Sequence, residues 1–394
     1  MNLACDILVA GGGVAGIPAA VAAARAGERV VLVEKEDFPG GAGVIALHRN
    51  LCGLYLNGPH EPKETLNPGL TREIVARFKS LSPANRPAQM GRVWGFPFKP
   101  AHLHSVYETL ANAEPNLTVL YSATVTSVDC CGERITAVHV HKQGEPFTFH
   151  PAAVIDATGS GEVIRLSGAP FQLATKAERQ LSGCTVHLDG IEGERELLGI
   201  KIAWRLSRLP AAETHTLPLF AGFAEGVSAQ DGLCKFSLPA ILDTMDDDAL
   251  AARITHLHAL LSAHIPELAH SRILAYSGRM EREGIRLAGL WELDEASLLT
   301  ARKFADGLVR SAWPIEFWDP SDAAPHYAYP PDGDFAEIPR GCLRSNRIVN
   351  LFATGRCISA SSRALAATRV MGTCMALGEA AGNEAASFVK SLQP

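Results

Sequence analysis

The chain of 394 residues is 47% apolar and 20% charged, with a net charge of −6. That is the balance of a globular protein long enough for two interleaved domains, and without a run of lysine or arginine it argues against nucleic acid as a partner. No stretch approaches the roughly 18 apolar residues of a membrane span, and the nine cysteines, scattered and without a CxxC pair, point to free thiols in a reducing cytoplasm.

Asp6–Ala10 reads as a short buried strand, followed at once by Gly11, Gly12 and Gly13. Val14–Ala26 predicts a helix. Pro18 falls in its first turn, where a missing N–H costs little, and Gly27 closes it. Arg29–Glu34 is a second strand, nearly all valine and leucine, and continuous apolar runs of this kind belong to a parallel sheet covered on both faces. Residues 40–67 are loop-like. Thr71–Leu81 predicts an amphipathic helix with Ile74, Val75 and Phe78 on one face. Pro83–Pro100 reads as irregular and His102–Ala111 as a helix. Strands follow at Leu117–Tyr121, Ala123–Val128, Ile135–His141, Phe147–His150 and Ala152–Ala157. From 168 to 339 strands and helices mix. Asn350–Thr354 returns to the buried-strand pattern, and Gly372–Lys390 closes the chain as a helix.

Gly11, Gly13 and Gly16 form a GxGxxG motif between an apolar strand and a helix. The first glycine permits a tight turn, the second lets backbone approach a pyrophosphate, and the third lets the helix pack close to the sheet. Ala15 lies in the same turn, whose free N–H groups favour a phosphate. Glu34 stands about 20 residues on, at the end of the second strand, where a carboxylate accepts from ribose hydroxyls and repels a 2′-phosphate. Lys35 follows it. A glycine-rich turn without a nucleotide is the plainer alternative.

A NAD dehydrogenase of this type would continue in strictly repeated βα units. This chain instead opens a glycine-rich loop at Gly40, Gly41 and Gly43, inserts a small strand block, ends a later strand in Ala157-Thr158-Gly159, and runs Leu351–Thr354 into Gly355-Arg356. At these residues it resembles the FAD-dependent oxidoreductases with a glutathione-reductase-type FAD-binding domain, closest to a thinly characterised branch of them. The resemblance covers nearly the whole chain. Its most specific part is Gly355–Ala360 with Thr368–Met371 and Thr373–Gly378.

The resemblance implies an α/β protein: a Rossmann-type FAD-binding domain from 1–167 and 340–394, with a parallel sheet and a small antiparallel strand block, and an inserted α+β substrate domain over 168–339. FAD is the implied cofactor. Gly11, Gly13, Ala15 and Gly16 would hold its diphosphate and Glu34, beside Lys35, its adenosine ribose. Gly40 and Gly41 would pass the diphosphate or ribityl chain. Val125 would meet the adenine through its backbone. Ala157 and Gly159 would turn beside the cofactor, Gly355 and Arg356 would approach the ribityl phosphate, and Met371, Gly372 and Thr373 would open a helix toward the flavin pyrimidine, where a helix N-terminus stabilises the negative charge of reduced flavin. Ser362-Arg363 stands where the family often has His-Glu, Gly372 where it often has proline, and Trp318 where a histidine often follows. The substrate therefore does not carry over by analogy.

Without a CxxC pair or a second dinucleotide motif, disulfide reduction and an internal NAD(P)H domain drop out. His48, just after the Gly40–Gly43 loop, is a candidate general base or attachment point, or else a loop histidine bonded to backbone. Cys52 is a second attachment candidate, or core packing. Arg279, Arg282 and Arg286, spaced around Glu281 and Glu283, suit a substrate carboxylate or carbonyl, or an ion-pair network. No metal site is expected. The expected reaction is hydride transfer between a C–O or C–N bond of a small polar metabolite and flavin, with oxygen, a quinone or a protein as external electron acceptor. The alternatives are reduction of a carbonyl or activated alkene, and a flavin-carrying electron-transfer subunit. The oligomeric state stays open.

Overall fold

The computed structural model describes residues 5–195, 197–210, 217–225, 230–239, 242, 245–321 and 324–393. Its centre is a five-stranded parallel sheet in the order Leu351–Ala353, Ala153–Asp156, Ile7–Ala10, Val30–Val33, Leu117–Leu120. The strands come from the start, the middle and the end of the chain. Every residue of Ile7–Ala10 and Val30–Val33 is buried, as a sheet covered on both faces requires. Successive side chains feed opposite cores. Ile7, Val9, Leu32 and Ile155 face one, with the helices Gly16–Arg25, Leu70–Leu81, Pro100–Asn112 and Met371–Ser391. Leu8, Val31 and Val154 face the other, under the antiparallel meander Ala123–Cys131, Arg134–Lys142, Glu145–Phe149.

The first and last helices touch backbone to backbone. A Cβ on Gly378 would stand 2.1 Å from the Ala15 carbonyl oxygen, and one on Gly382 would stand 2.2 Å from that of Ala19. Two glycines one turn apart thus lock the end of the chain onto its beginning.

A four-stranded antiparallel sheet, in the order Leu219–Glu225, Gly232–Leu238, Ser182–Asp189, Arg272–Tyr276, has a core of its own with the helices Leu198–Leu206 and Asp247–His264. Within 168–339, residues such as Leu293, Val309, Ile315 and Ile338 pack instead into the core beneath the parallel sheet. The segment Pro83–Pro100, expected to be irregular, holds a hairpin: Ala88–Met90 pairs with Val93–Pro97, which also pairs with Asn50–Leu51. Gly91, at φ 61°, makes the two-residue turn. The strands are too short for their alternation to be read without that turn.

Candidate functional site

Several glycines and their neighbours meet at one edge of the parallel sheet, beyond the C-terminal ends of its strands, where open α/β folds bind ligands. Gly11 sits at φ 98°, and a Cβ there would stand 2.6 Å from the Ala157 carbonyl oxygen. One on Gly16 would stand 1.8 Å from the Gly11 carbonyl oxygen. Gly13 differs: no atom lies within 4 Å of a Cβ placed on it. The following loop passes alongside, with the Gly40 N–H donating to the Gly12 carbonyl at 2.9 Å and a Gly41 Cβ position 3.1 Å from the Gly13 Cα. Ala15 borders Gly355 in the same way, and Gly159 borders the Arg356 guanidinium, which donates to the Glu281 carbonyl.

Glu34 is buried at 4% exposure. Its carboxylate accepts from the Gly12 N–H at 2.5 Å and the Glu36 N–H at 2.9 Å. Burial holds its pKa above the usual carboxylate value, and those two bonds act the other way. Val125 lies on the adjoining strand, where Ala123 N–H donates to the Glu34 carbonyl. Lys35 points outward in an exposed pair with Glu36.

Neither helix facing this edge has a side-chain cap at its start, neither Gly16–Arg25 nor Met371–Ser391. Asp246, Asp294 and Ser361 do cap helices elsewhere. At the first helix the Gly16 and Ile17 N–H groups donate to the Gly13 carbonyl and Pro18 has none, so the N–H groups left for an outside acceptor are those of the preceding turn, while both uncapped starts keep a partial positive charge. At the last helix, Gly372 N–H donates to the Cys52 carbonyl at 2.8 Å, and a Gly372 Cβ would stand 2.7 Å from the Gly53 carbonyl carbon. The Thr373 hydroxyl is buried without a partner among the described residues. The loop carrying His48 and Cys52 is therefore pinned to the start of the last helix.

His48 has no hydrogen-bond partner among the described residues. It keeps a strip of accessible surface, yet protein fills most of its surroundings. Burial first, and then the positive charges of Lys235, Arg282 and Arg369, push its pKa down to about 3, so the ring is neutral at physiological pH. Leu47 before it is held in the left-handed region at φ 55°, which costs a branched side chain on the order of 1 kcal/mol or more and persists only where the surroundings impose it.

The three cations come from separate elements. Lys235 interrupts the apolar strand Gly232–Leu238, Arg282 lies just before the short strand Arg286–Leu287, and Arg369 ends the helix Ser362–Thr368. The Arg282 guanidinium lies 4.5 Å over the Trp318 ring and donates to the Leu181 carbonyl. Burial lowers its pKa to about 9, with Arg369 adding to the effect and Glu316 opposing it. Arg369 donates to the Glu316 backbone carbonyl at 3.2 Å.

The other two expected arginines are engaged elsewhere. Arg286, 4% exposed, pairs with the buried Glu283, which also accepts from the Ser362 hydroxyl. Arg279 donates to the Leu242 and Met245 carbonyls. Neither is among the charges that act on His48. Arg286 and Ser362 instead line a shallow cleft of about 630 Å³ together with Phe317, Phe171 and Leu173. Phe317 alternates with Glu316 and Trp318, so the cleft and the cation cluster lie on opposite faces of the strand Ile315–Trp318. Lys235 and Glu316 escaped the sequence reading. The signal that could have found each is a lone charge inside an otherwise apolar strand.

A family model for FAD dependent oxidoreductases matches residues 6–393. The chain belongs to that family. This flavoprotein shares its fold with BexE, a protein studied for oxidation during BE-7585A biosynthesis, at a TM-score of 0.52 and 12% identity, covering 98% of this chain and 63% of that one. A geranylgeranyl bacteriochlorophyll reductase-like protein from Thermoplasma acidophilum aligns at a TM-score of 0.49 and 13% identity, over 98% of this chain and 78% of that one. The OxyS anhydrotetracycline hydroxylase from Streptomyces rimosus aligns at 0.47 and 13%, over 73% and 54%. Since the chain spans 54% of OxyS and 63% of BexE, their activities belong to them alone. No curated protein matches the chain.

The flavoprotein is thus a FAD-dependent oxidoreductase with a Rossmann-type sheet plus antiparallel sheets, and the residues at the edge suit the cofactor chemically. The positive ends of two uncapped helices, an unobstructed glycine and a buried carboxylate are the charge, clearance and acceptor that a diphosphate and a ribose need. No helix among the described residues is long and apolar enough to cross a membrane.

Proposed function

We propose that this flavoprotein moves a hydride between a C–O or C–N bond of a small polar metabolite and FAD, in a reducing cytoplasm. Gly11, Gly13, Ala15, Gly16, Gly40 and Gly41 hold the diphosphate, Glu34 and Lys35 border the adenosine ribose, and the Val125 backbone meets the adenine. Ala157, Gly159, Gly355 and Arg356 line the ribityl phosphate. Met371, Gly372 and Thr373 turn a helix start toward the pyrimidine end. When bound, FAD supplies the two-electron acceptor for the hydride that leaves the substrate carbon. His48 receives the proton of the O–H or N–H as the C=O or C=N bond forms, so that charge and atoms balance. An external acceptor, oxygen or a quinone or a protein, then removes the electrons.

The observation that carries this reading is the placement of His48. The ring is neutral and has no hydrogen-bond partner among the described residues, on a loop tied by the Cys52 carbonyl to the Gly372 N–H at the start of the last helix. A proton acceptor must be uncharged and within reach of the reacting bond, and the burial and cations that push the His48 pKa down to about 3 must be offset by negative charge on the bound substrate before the ring can take the proton. Anaerobic stopped-flow reduction by a panel of alcohols and amines tests it. His48→Gln should keep its FAD and slow flavin reduction by about 10²–10⁴-fold. Reduction at the wild-type rate would remove His48 from the chemistry.

A further inference from the structure

We infer that Lys235, Arg282 and Arg369, grouped around His48, form a carboxylate-binding site, so that the metabolite is a small organic acid whose reacting C–O or C–N bond lies next to its anionic group. This inference rests on the hydride-transfer reading and names the substrate class of that site.

The charge balance is the first argument. Geometry brings the cations together: Arg282 lies over Trp318 and against Gly183, whose strand pairs Thr185 with Lys235, and Arg369 donates to the carbonyl of Glu316, two residues before Trp318; the one carboxylate whose charge acts on Arg282 is that of Glu316. Burial pushes the thiols of Cys52 and Cys184 and the phenol of Tyr327 up to about 12, so they carry no charge near neutrality. The sum is positive in a half-buried space, and uncompensated charge there is costly.

The partners are the second argument. Several cations elsewhere in this chain are paired with carboxylates: Arg286 with Glu283, Arg363 with Glu295, Arg25 with both Glu73 and Glu114. The cations of this group have no such pairs. Lys235 has no hydrogen bond or ion pair among the described residues. Arg282 donates to a backbone carbonyl, Arg369 also to a backbone carbonyl, and the buried Arg369 Nε has no partner among the described residues. The Glu316 carboxylate accepts from the Trp318 indole N–H at 3.0 Å rather than from either guanidinium.

Orientation is the third. Stacking on Trp318 fixes the plane of the Arg282 guanidinium, and a planar fork held in this way suits the two oxygens of a carboxylate. Lys235 and Arg282 come from the inserted region, whereas Arg369 immediately precedes the last helix. An acid held by all three is therefore clamped between that region and the place assigned to the flavin ring, with His48 beside it.

The test uses the oxidised, FAD-loaded protein and three acids, acetate, pyruvate and malonate, against their amides, acetamide, pyruvamide and malonamide. Binding is followed by calorimetry and by the shift of the flavin absorption bands. At least one acid should bind about tenfold or more tightly than its amide. Lys235→Met should erase that preference, again by about tenfold, at unchanged FAD content. Lys235→Met is the cleaner variant because Arg282 also packs on Trp318; Arg282→Met should act in the same direction. If no acid outbinds its amide, or if both variants lose FAD instead of the acid preference, the site is overturned. If acids bind as described but no hydroxy or amino acid reduces the flavin, the site stands and the hydride-transfer reading fails. If neutral alcohols or amines reduce the flavin equally well in wild type and Lys235→Met, the reaction stands and the anion site fails.

Discussion

At the residue scale, the three motif glycines have different jobs, and the structure separates them. A side chain on Gly16 would collide with the Gly11 carbonyl oxygen, 1.8 Å away, while one on Gly13 meets nothing. Gly13 is also absent from the positive-φ positions, so alanine fits its backbone. Gly13→Ala should therefore leave the unfolding free energy of the cofactor-free protein within about 0.5 kcal/mol of wild type, as for a substitution away from packed features, yet weaken FAD binding at least tenfold. Gly16→Ala should lower both, because backbone must move. Thermal melts and FAD titrations check the pair, and a Gly13→Ala protein that binds FAD normally would show that no phosphate approaches there. The glycine spacing was readable in the sequence because turn geometry demands that residue type. The cation group was not: Lys235, Arg282 and Arg369 lie far apart in the chain, and only the packing of a strand, a loop and a helix end brings them to His48. The sequence did supply the arginine set at 279, 282 and 286, but nothing in its spacing says that Arg286 faces Glu283 while Arg282 faces Trp318.

At the scale of elements, the contact between the first and last helices is the join on which the cofactor edge depends. Gly378 and Gly382 let the helix Met371–Ser391 approach the Ala15 and Ala19 carbonyls. Gly378→Ala places a methyl group 2.1 Å from the Ala15 carbonyl oxygen, and overpacking of this kind costs about 1–3 kcal/mol. The urea midpoint should fall by the corresponding amount, and FAD affinity should fall with it because Ala15 belongs to the glycine turn. An unchanged midpoint would mean that the two helices do not meet there. The long periodic helices and the buried strands were legible from their patterns. The hairpin at 88–97 was not, since its strands are shorter than the alternation that would reveal them.

At the scale of the whole molecule, the parallel sheet draws its strands from the start, the middle and the end of the chain. The resemblance in the glycine-rich and C-terminal strings gave the family and the α/β class. What stayed hidden is the division of the inserted stretch, where 182–276 holds a separate core while segments beyond Leu293 join the core beneath the parallel sheet, because apolar residues do not announce which core they will enter. The central claim is that FAD bridges the starts of the first and last helices. Amide hydrogen exchange with and without FAD tests it most directly. Residues 11–17 and 371–375 should gain protection together on FAD binding, at one FAD per chain. Protection confined to one of these segments, or to neither, would contradict it.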